Sequence, residues 1–93
     1  IADEPTTALD VTVQAHVAGA PISTAAALQL EAAIPNFCIH EHHYRSTTPA
    51  MVRLCKYDYQ PEHGKYKVPD LPGLGQEWSA WALENPVARV TID

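Results

Sequence analysis

The sequence is poor in cysteine, in basic residues and in long hydrophobic runs, and each shortage argues against a class of protein. The chain contains two cysteines, Cys38 and Cys55, too few for the disulfide framework of a small secreted domain, so we expect a reducing, cytoplasmic setting. Six basic residues stand against eleven acidic ones, giving a formal charge of −5, which argues against binding nucleic acid or a membrane surface. No apolar stretch approaches the roughly 20 residues of a spanning helix, and no secretory signal is visible.

What is present suits one small globular domain. The chain has 93 residues, of which 46% are hydrophobic and 18% are charged, and this is an ordinary globular balance. It begins at Ile1 rather than at a methionine. We therefore expect a piece of a longer protein.

Two elements stand out in the first half of the chain. Residues 23–34 are rich in Ala and Leu and are followed by Pro35, which predicts a helix capped by Ser23 or Thr24. Residues 37–42 predict a short buried strand. Alternation along that strand gives two faces, with Phe37, Ile39 and Glu41 on one and Cys38, His40 and His42 on the other.

The second half carries aromatic residues without strong periodicity. The turn residues 61–64 favour a hairpin, residues 76–85 favour a short helix with Trp78 and Trp81, and residues 87–92 favour a final strand. We expect this half to be an irregular tail that packs over another body.

The first 15 residues, IADEPTTALDVTVQA, resemble the Walker B strand and D-loop of the ATP-binding-cassette ATPases that drive oligopeptide and dipeptide import. The resemblance implies that Asp3 orders the Mg²⁺ of bound ATP, that Glu4 polarises the attacking water, and that Asp10 belongs to the D-loop. The chain has no GxxxxGK(S/T) loop to bind phosphates, so we expect no ATP hydrolysis by this chain alone. The alternative is that these acids are solvated residues near a terminus.

From residue 16 the sequence changes character. Residues 16–43, HVAGAPISTAAALQLEAAIPNFCIHEHH, resemble the end of the catalytic barrel in the mandelate racemase branch of the enolase superfamily, and acid-sugar dehydratases in particular. The tail, with the motif PGLG at residues 72–75, resembles the segment that leaves that barrel. The likeness extends over residues 16–85 and implies the last β/α unit of a (β/α)₈ barrel.

The resemblance also implies two site residues. His16 takes the place of the seventh-strand general acid or base, which assists removal of the proton α to a carboxylate or protonates the departing hydroxyl. Glu41 takes the place of the eighth-strand acid that hydrogen-bonds the substrate carboxylate as it becomes an enediolate. The Mg²⁺ of the family is held by carboxylates from strands that this sequence lacks, so we expect no cofactor in the isolated chain. The alternative is that both residues are inert polar side chains.

The run His40-Glu41-His42-His43 raises the question of a metal site, but its spacing matches no zinc motif, and we predict none.

The sequence as a whole predicts an α/β fragment with an irregular tail, or a small α+β oligomer if the chain repacks. We divide it into a Walker B/D-loop-like segment, residues 1–15, and an enolase-superfamily segment, residues 16–93. The predicted function is that of a piece or chimera of a Mg²⁺-dependent acid-sugar dehydratase, inactive by itself and binding a sugar acid only within the complete enzyme. A non-catalytic module that associates with itself and a remnant of an ABC ATPase are the alternatives.

Overall fold

The computed structural model describes residues 12–92, and within them one long helix is followed by shorter helical segments and isolated β-bridges. The helices are α1 (Pro21–Ala33), a 3₁₀ helix (Tyr44–Thr47), α2 (Pro49–Val52) and α3 (Ala80–Glu84). None of the helices in this part of the chain is long and apolar enough to cross a membrane.

Helix α1 confirms the predicted helix, although it begins two residues before residue 23. Pro21 occupies the first turn, where its missing N–H removes no helical hydrogen bond, and Ala20 is the N-cap with extended backbone. The predicted cap at Ser23 or Thr24 is therefore wrong, because proline fixes the helical backbone angle earlier in the chain. At the other end, Ile34 is extended before Pro35, as expected for a residue that precedes proline.

A β–α–β arrangement surrounds α1, since residues on either side of it pair in parallel. Val13 and Phe37 form the bridge: Val13 N–H donates to the Asn36 carbonyl at 2.8 Å, and Cys38 N–H donates to the Val13 carbonyl at 3.0 Å. The pairing stops there, so the strand predicted over residues 37–42 is wrong beyond its first residue. A parallel strand of a barrel is normally paired on both edges, and the described residues supply a partner on one edge only.

The return segment, residues 43–92, is mostly irregular. Glu62 and Lys65 close the predicted hairpin with reciprocal backbone bonds of 2.8 and 2.9 Å. The turn residues His63 and Gly64 both have positive φ, 51° and 75°, as a tight two-residue hairpin turn requires. The final strand predicted over residues 87–92 is wrong: that segment has no strand pairing and its Val and Ile side chains are exposed.

The helix predicted over residues 76–85 is confirmed in its second half, as α3. Ser79 caps it by accepting a hydrogen bond from Ala82 N–H at 3.1 Å. The residues before it do not continue the helix, because Trp78 pairs with Cys55 in an antiparallel bridge. This bridge joins α3 to the end of α2.

The core is small and lies along one side of α1. The buried hydrophobic residues in the described part of the chain are Ala25, Ala27, Leu28 and Cys55. The return segment is attached to α1 by polar contacts, such as Gln29 Nε2 donating to the Pro69 carbonyl at 2.8 Å. The accessible surface is 7062 Å², whereas a compact monomer of this mass exposes about 5300 Å². Several large hydrophobic side chains of the described residues are also exposed, among them Leu30, Ile39 and Trp78.

Candidate functional site

The two residues predicted to carry chemistry, His16 and Glu41, lie in contact. His16 follows Val13 on the segment before α1, and Glu41 follows Phe37 on the segment after it. Their side chains approach to 3.3 Å between His16 Nδ1 and Glu41 Oε1, with His16 77% and Glu41 38% exposed. The imidazole and the carboxylate are therefore in contact while remaining open to a ligand.

This contact depends on the interruption of the strand pairing. Residues opposite each other in a sheet point to the same side, and successive residues point to opposite sides. A continuous ladder in the Val13–Phe37 register would therefore place His16 and Glu41 on opposite faces. The pairing ends at the bridge, and the irregular backbone beyond it brings the two side chains together.

A second histidine–glutamate pair is formed by His40, the residue before Glu41. His40 Nδ1 lies 2.8 Å from Glu31 Oε2, and both side chains are buried, at 9% and 3% exposure. Glu31 belongs to α1 and is the last buried residue of that helix. Its other oxygen, Oε1, is buried without a hydrogen-bond partner. The pair fixes His40 against α1.

Tyr66, in the return segment, packs against the histidine of this buried pair. Its ring meets the His40 ring edge-on, with centroids 4.7 Å apart and planes at 68°, and its hydroxyl is hydrogen-bonded to His42 Nδ1. Burial, and then the negative charges of Glu31 and Asp58, raise the pKa of Tyr66 to about 12. The hydroxyl is therefore protonated at neutral pH and can donate to the imidazole.

The other predicted site residues belong to the ATPase-like segment at the start of the chain. Asp3, Glu4 and Asp10 lie outside the described residues. Within residues 12–92, no three His, Cys, Asp or Glu side chains form a group that could hold a metal ion. The side chains of the described residues therefore do not fit a Mg²⁺ site.

Two concave surfaces adjoin the two pairs. A shallow depression of about 470 Å³ lies beside His16 and is lined by small residues of α1 and the segment before it, such as Ala15, Gly19 and Ala26. A groove of about 590 Å³ lies among Phe37, His40 and Tyr66. The larger concavity is therefore on the side of the buried pair, and the catalytic candidates lie at an open surface.

The sequence reasoning missed Glu31 and Tyr66 as parts of the site. A signal for Glu31 was present, because it is the only charged residue of helix α1. Such a residue is buried only when it is paired. Tyr66 offered no comparable signal, since its contact depends on where the irregular tail returns.

Comparisons with known proteins agree with this architecture. Residues 6–82 match the family model described as Enolase C-terminal domain-like. That match begins inside the segment predicted to be ATPase-like, and none of the comparisons supports the ABC ATPase resemblance. No curated protein matches the chain.

Solved structures give the same family. A protein from Zymomonas mobilis ZM4, provisionally assigned as a dehydratase, is 49% identical over 87% of this chain with a TM-score of 0.80. A member of the enolase superfamily from Salmonella Typhimurium is 48% identical over 87% of this chain, also with a TM-score of 0.80. This chain spans about a fifth of those structures, 21% of each. The chain belongs to the Enolase C-terminal domain-like family.

Proposed function

We propose that this chain supplies the last β/α unit and the return segment of an enolase-superfamily barrel that dehydrates an acid sugar with Mg²⁺. The 3.3 Å contact between His16 and Glu41 is the observation that carries the proposal. It brings together the two residues to which the family resemblance assigns chemistry. The likeness to provisionally assigned dehydratases supports the reaction class.

The geometry of the contact suggests a separate chemical role for each residue of the pair. His16 Nδ1 faces Glu41, so Nε2 is the nitrogen available to exchange a proton with a substrate. Glu41, in its protonated form, would hydrogen-bond the substrate carboxylate, with His16 Nδ1 as its other contact. Loss of the α-proton and of the β-hydroxyl as water gives an enol, which becomes an α-keto acid.

The isolated chain lacks the rest of such a site. Mg²⁺ stabilises an enediolate electrostatically when it is bound, and its ligands in this proposal are carboxylates on other barrel strands. We therefore expect no turnover from the 93-residue chain alone. The acid-sugar substrate would meet His16 and Glu41 only in the assembled barrel.

A hybrid enzyme tests this proposal. Residues 12–92 of this chain would replace the aligned segment of the Zymomonas mobilis relative, and sugar acids would be assayed for α-keto acid formation with Mg²⁺ present. The unmodified relative serves as the reference. Turnover by the hybrid, with a loss of about 100-fold or more in His16→Gln or Glu41→Gln, is the expected result for acid–base residues.

Two results would contradict the proposal. One is a folded hybrid that forms no α-keto acid from any sugar acid on which the unmodified relative acts. The other is full activity in both variants, which would leave His16 and Glu41 as inert polar residues.

A second candidate function is a non-catalytic module that associates with copies of itself. Its support is the exposed apolar surface, which includes Phe37, Ile39 and Trp78. Urea unfolding followed by tryptophan fluorescence, at two concentrations a hundredfold apart, would test it. A midpoint that rises with concentration supports self-association, and an unchanged midpoint argues against it.

A further inference from the structure

We propose that Glu31 and Tyr66 are positioning residues for Glu41, acting through the two histidines on either side of it. The proposal rests on the proposed function, because Glu41 is the group being positioned. Glu31 contacts His40 and Tyr66 contacts His42. The residue between these histidines is the one that reaches His16.

Side-chain contacts with α1 and the return segment hold residues 38–42 in the part of the chain that the structure describes. Residues 38–42 have no strand pairing after the bridge at Phe37. Beyond Phe37, the described contacts of this segment include those of two alternate side chains, His40 with Glu31 and His42 with Tyr66. Glu31 contacts His40 and Tyr66 contacts His42, and neither of these two contacts involves His16.

Glu31 provides the more rigid of the two contacts. Its carboxylate is held on α1 and is 3% exposed, and His40 Nδ1 lies 2.8 Å from it. Moving His40 away would leave a buried carboxylate with no partner on either oxygen, because Oε1 already has none. Leaving a buried polar group unsatisfied carries a substantial desolvation penalty. His40, and the backbone next to Glu41, are therefore held in place.

Tyr66 holds both histidines at once. Its ring packs edge-on against His40, and its hydroxyl is hydrogen-bonded to His42. The raised pKa keeps that hydroxyl protonated over the whole range in which a histidine acid or base operates. The return segment thereby contributes to the placement of Glu41 without approaching it.

Kinetics of the hybrid enzyme test the proposal. Glu31→Ala and Tyr66→Phe are expected to lower kcat about tenfold with little change in KM, because a small misplacement of a catalytic group affects the transition state most. Glu31→Gln keeps an oxygen that can accept from His40 and is expected to restore most of kcat. Tyr59→Phe is the matched control: it removes the hydroxyl that donates to the Gly75 carbonyl at 2.5 Å, away from Glu41.

Histidine NMR gives a readout that does not need turnover. With ¹³C-labelled histidine, His16→Gln identifies the His16 signal, and Glu41→Gln shows that signal without the carboxylate. Tyr66→Phe and Glu31→Ala are expected to shift the His16 signal toward its position in Glu41→Gln. The same spectra of the 93-residue chain make the test independent of the hybrid.

The two readouts separate the proposals. A folded hybrid without activity would contradict the proposed dehydratase function. The NMR signal of His16 would still test whether Glu31 and Tyr66 position Glu41. An unchanged His16 signal in both variants would overturn the positioning role. So would equal kcat losses in Tyr66→Phe and Tyr59→Phe. If Glu31→Ala fails to fold, Tyr66→Phe decides the question.

Discussion

Two histidine–glutamate pairs include a residue of the segment 37–42, one through Glu41 and one through His40, and the two pairs differ in distance and in exposure. The His16–Glu41 pair is 3.3 Å apart, with side chains 77% and 38% exposed. The His40–Glu31 pair is 2.8 Å apart, with side chains 9% and 3% exposed. One imidazole–carboxylate pair is thus exposed to solvent, and the other is buried in the protein interior.

The difference assigns the pairs to different tasks. An exposed pair is screened by water and contributes little to stability, so its groups remain free to exchange protons and partners. A buried pair is costly to separate, since each group would lose its partner without gaining water. The exposed pair suits chemistry, and the buried pair suits holding the segment that carries it.

The largest effect is expected from breaking the buried pair. Glu31→Ala leaves His40 Nδ1 without its partner and opens a cavity beside Leu28, and we expect a loss of about 2–3 kcal/mol in the free energy of unfolding. Urea unfolding followed by tryptophan fluorescence measures it. Glu62→Ala, at an exposed acid of the hairpin, is the control and should change stability by less than about 0.5 kcal/mol. Equal losses in the two variants would contradict the assignment.

Tyr66, which packs against the buried pair, makes the free energy of unfolding depend on pH in the alkaline range. Its folded pKa of about 12 lies above the ordinary tyrosine value of 10, so the unfolded chain loses this proton first as pH rises. The stabilisation is present in full below pH 10 and is lost as pH rises toward 12. Unfolding curves measured between these limits should show it, and Tyr66→Phe should lack this contribution. A Tyr66→Phe protein with the same pH dependence as the parent would refute the assignment.

The sequence points to the residues of the exposed pair and not to those of the buried one. The family resemblance singles out His16 and Glu41, whose chemical roles stay predictions, while the Ala- and Leu-rich composition and the following proline predict helix α1. The strand over residues 37–42 was overestimated, because alternation describes side-chain preference and cannot show whether neighbouring strands are present to pair. Glu31 and Tyr66 were missed since their roles arise from contacts nine and 24 residues away along the chain.

The two cysteines show the same contrast between an exposed and a buried side chain, which predicts different rates of reaction with a thiol reagent. Cys38 is exposed on residues 37–42, whereas Cys55 is buried and burial raises the pKa of its thiol. The thiolate is the reactive form, so Cys55 is doubly disfavoured. With a thiol reagent at pH 8, we expect Cys38 to react at least about tenfold faster. Cys38→Ser identifies the fast phase; a single phase of equal rate for both thiols would show that the return segment does not protect Cys55.

The smallest effect is expected from breaking the exposed pair. Glu41→Gln removes the negative charge facing His16 and should change the free energy of unfolding by less than about 0.5 kcal/mol, with a smaller difference still at high salt. Urea unfolding at low and high ionic strength measures this. A loss as large as that of Glu31→Ala would make Glu41 a structural residue and remove the contrast between the pairs. A negligible loss, together with the large loss at Glu31, would separate the group available for chemistry from the groups that hold it.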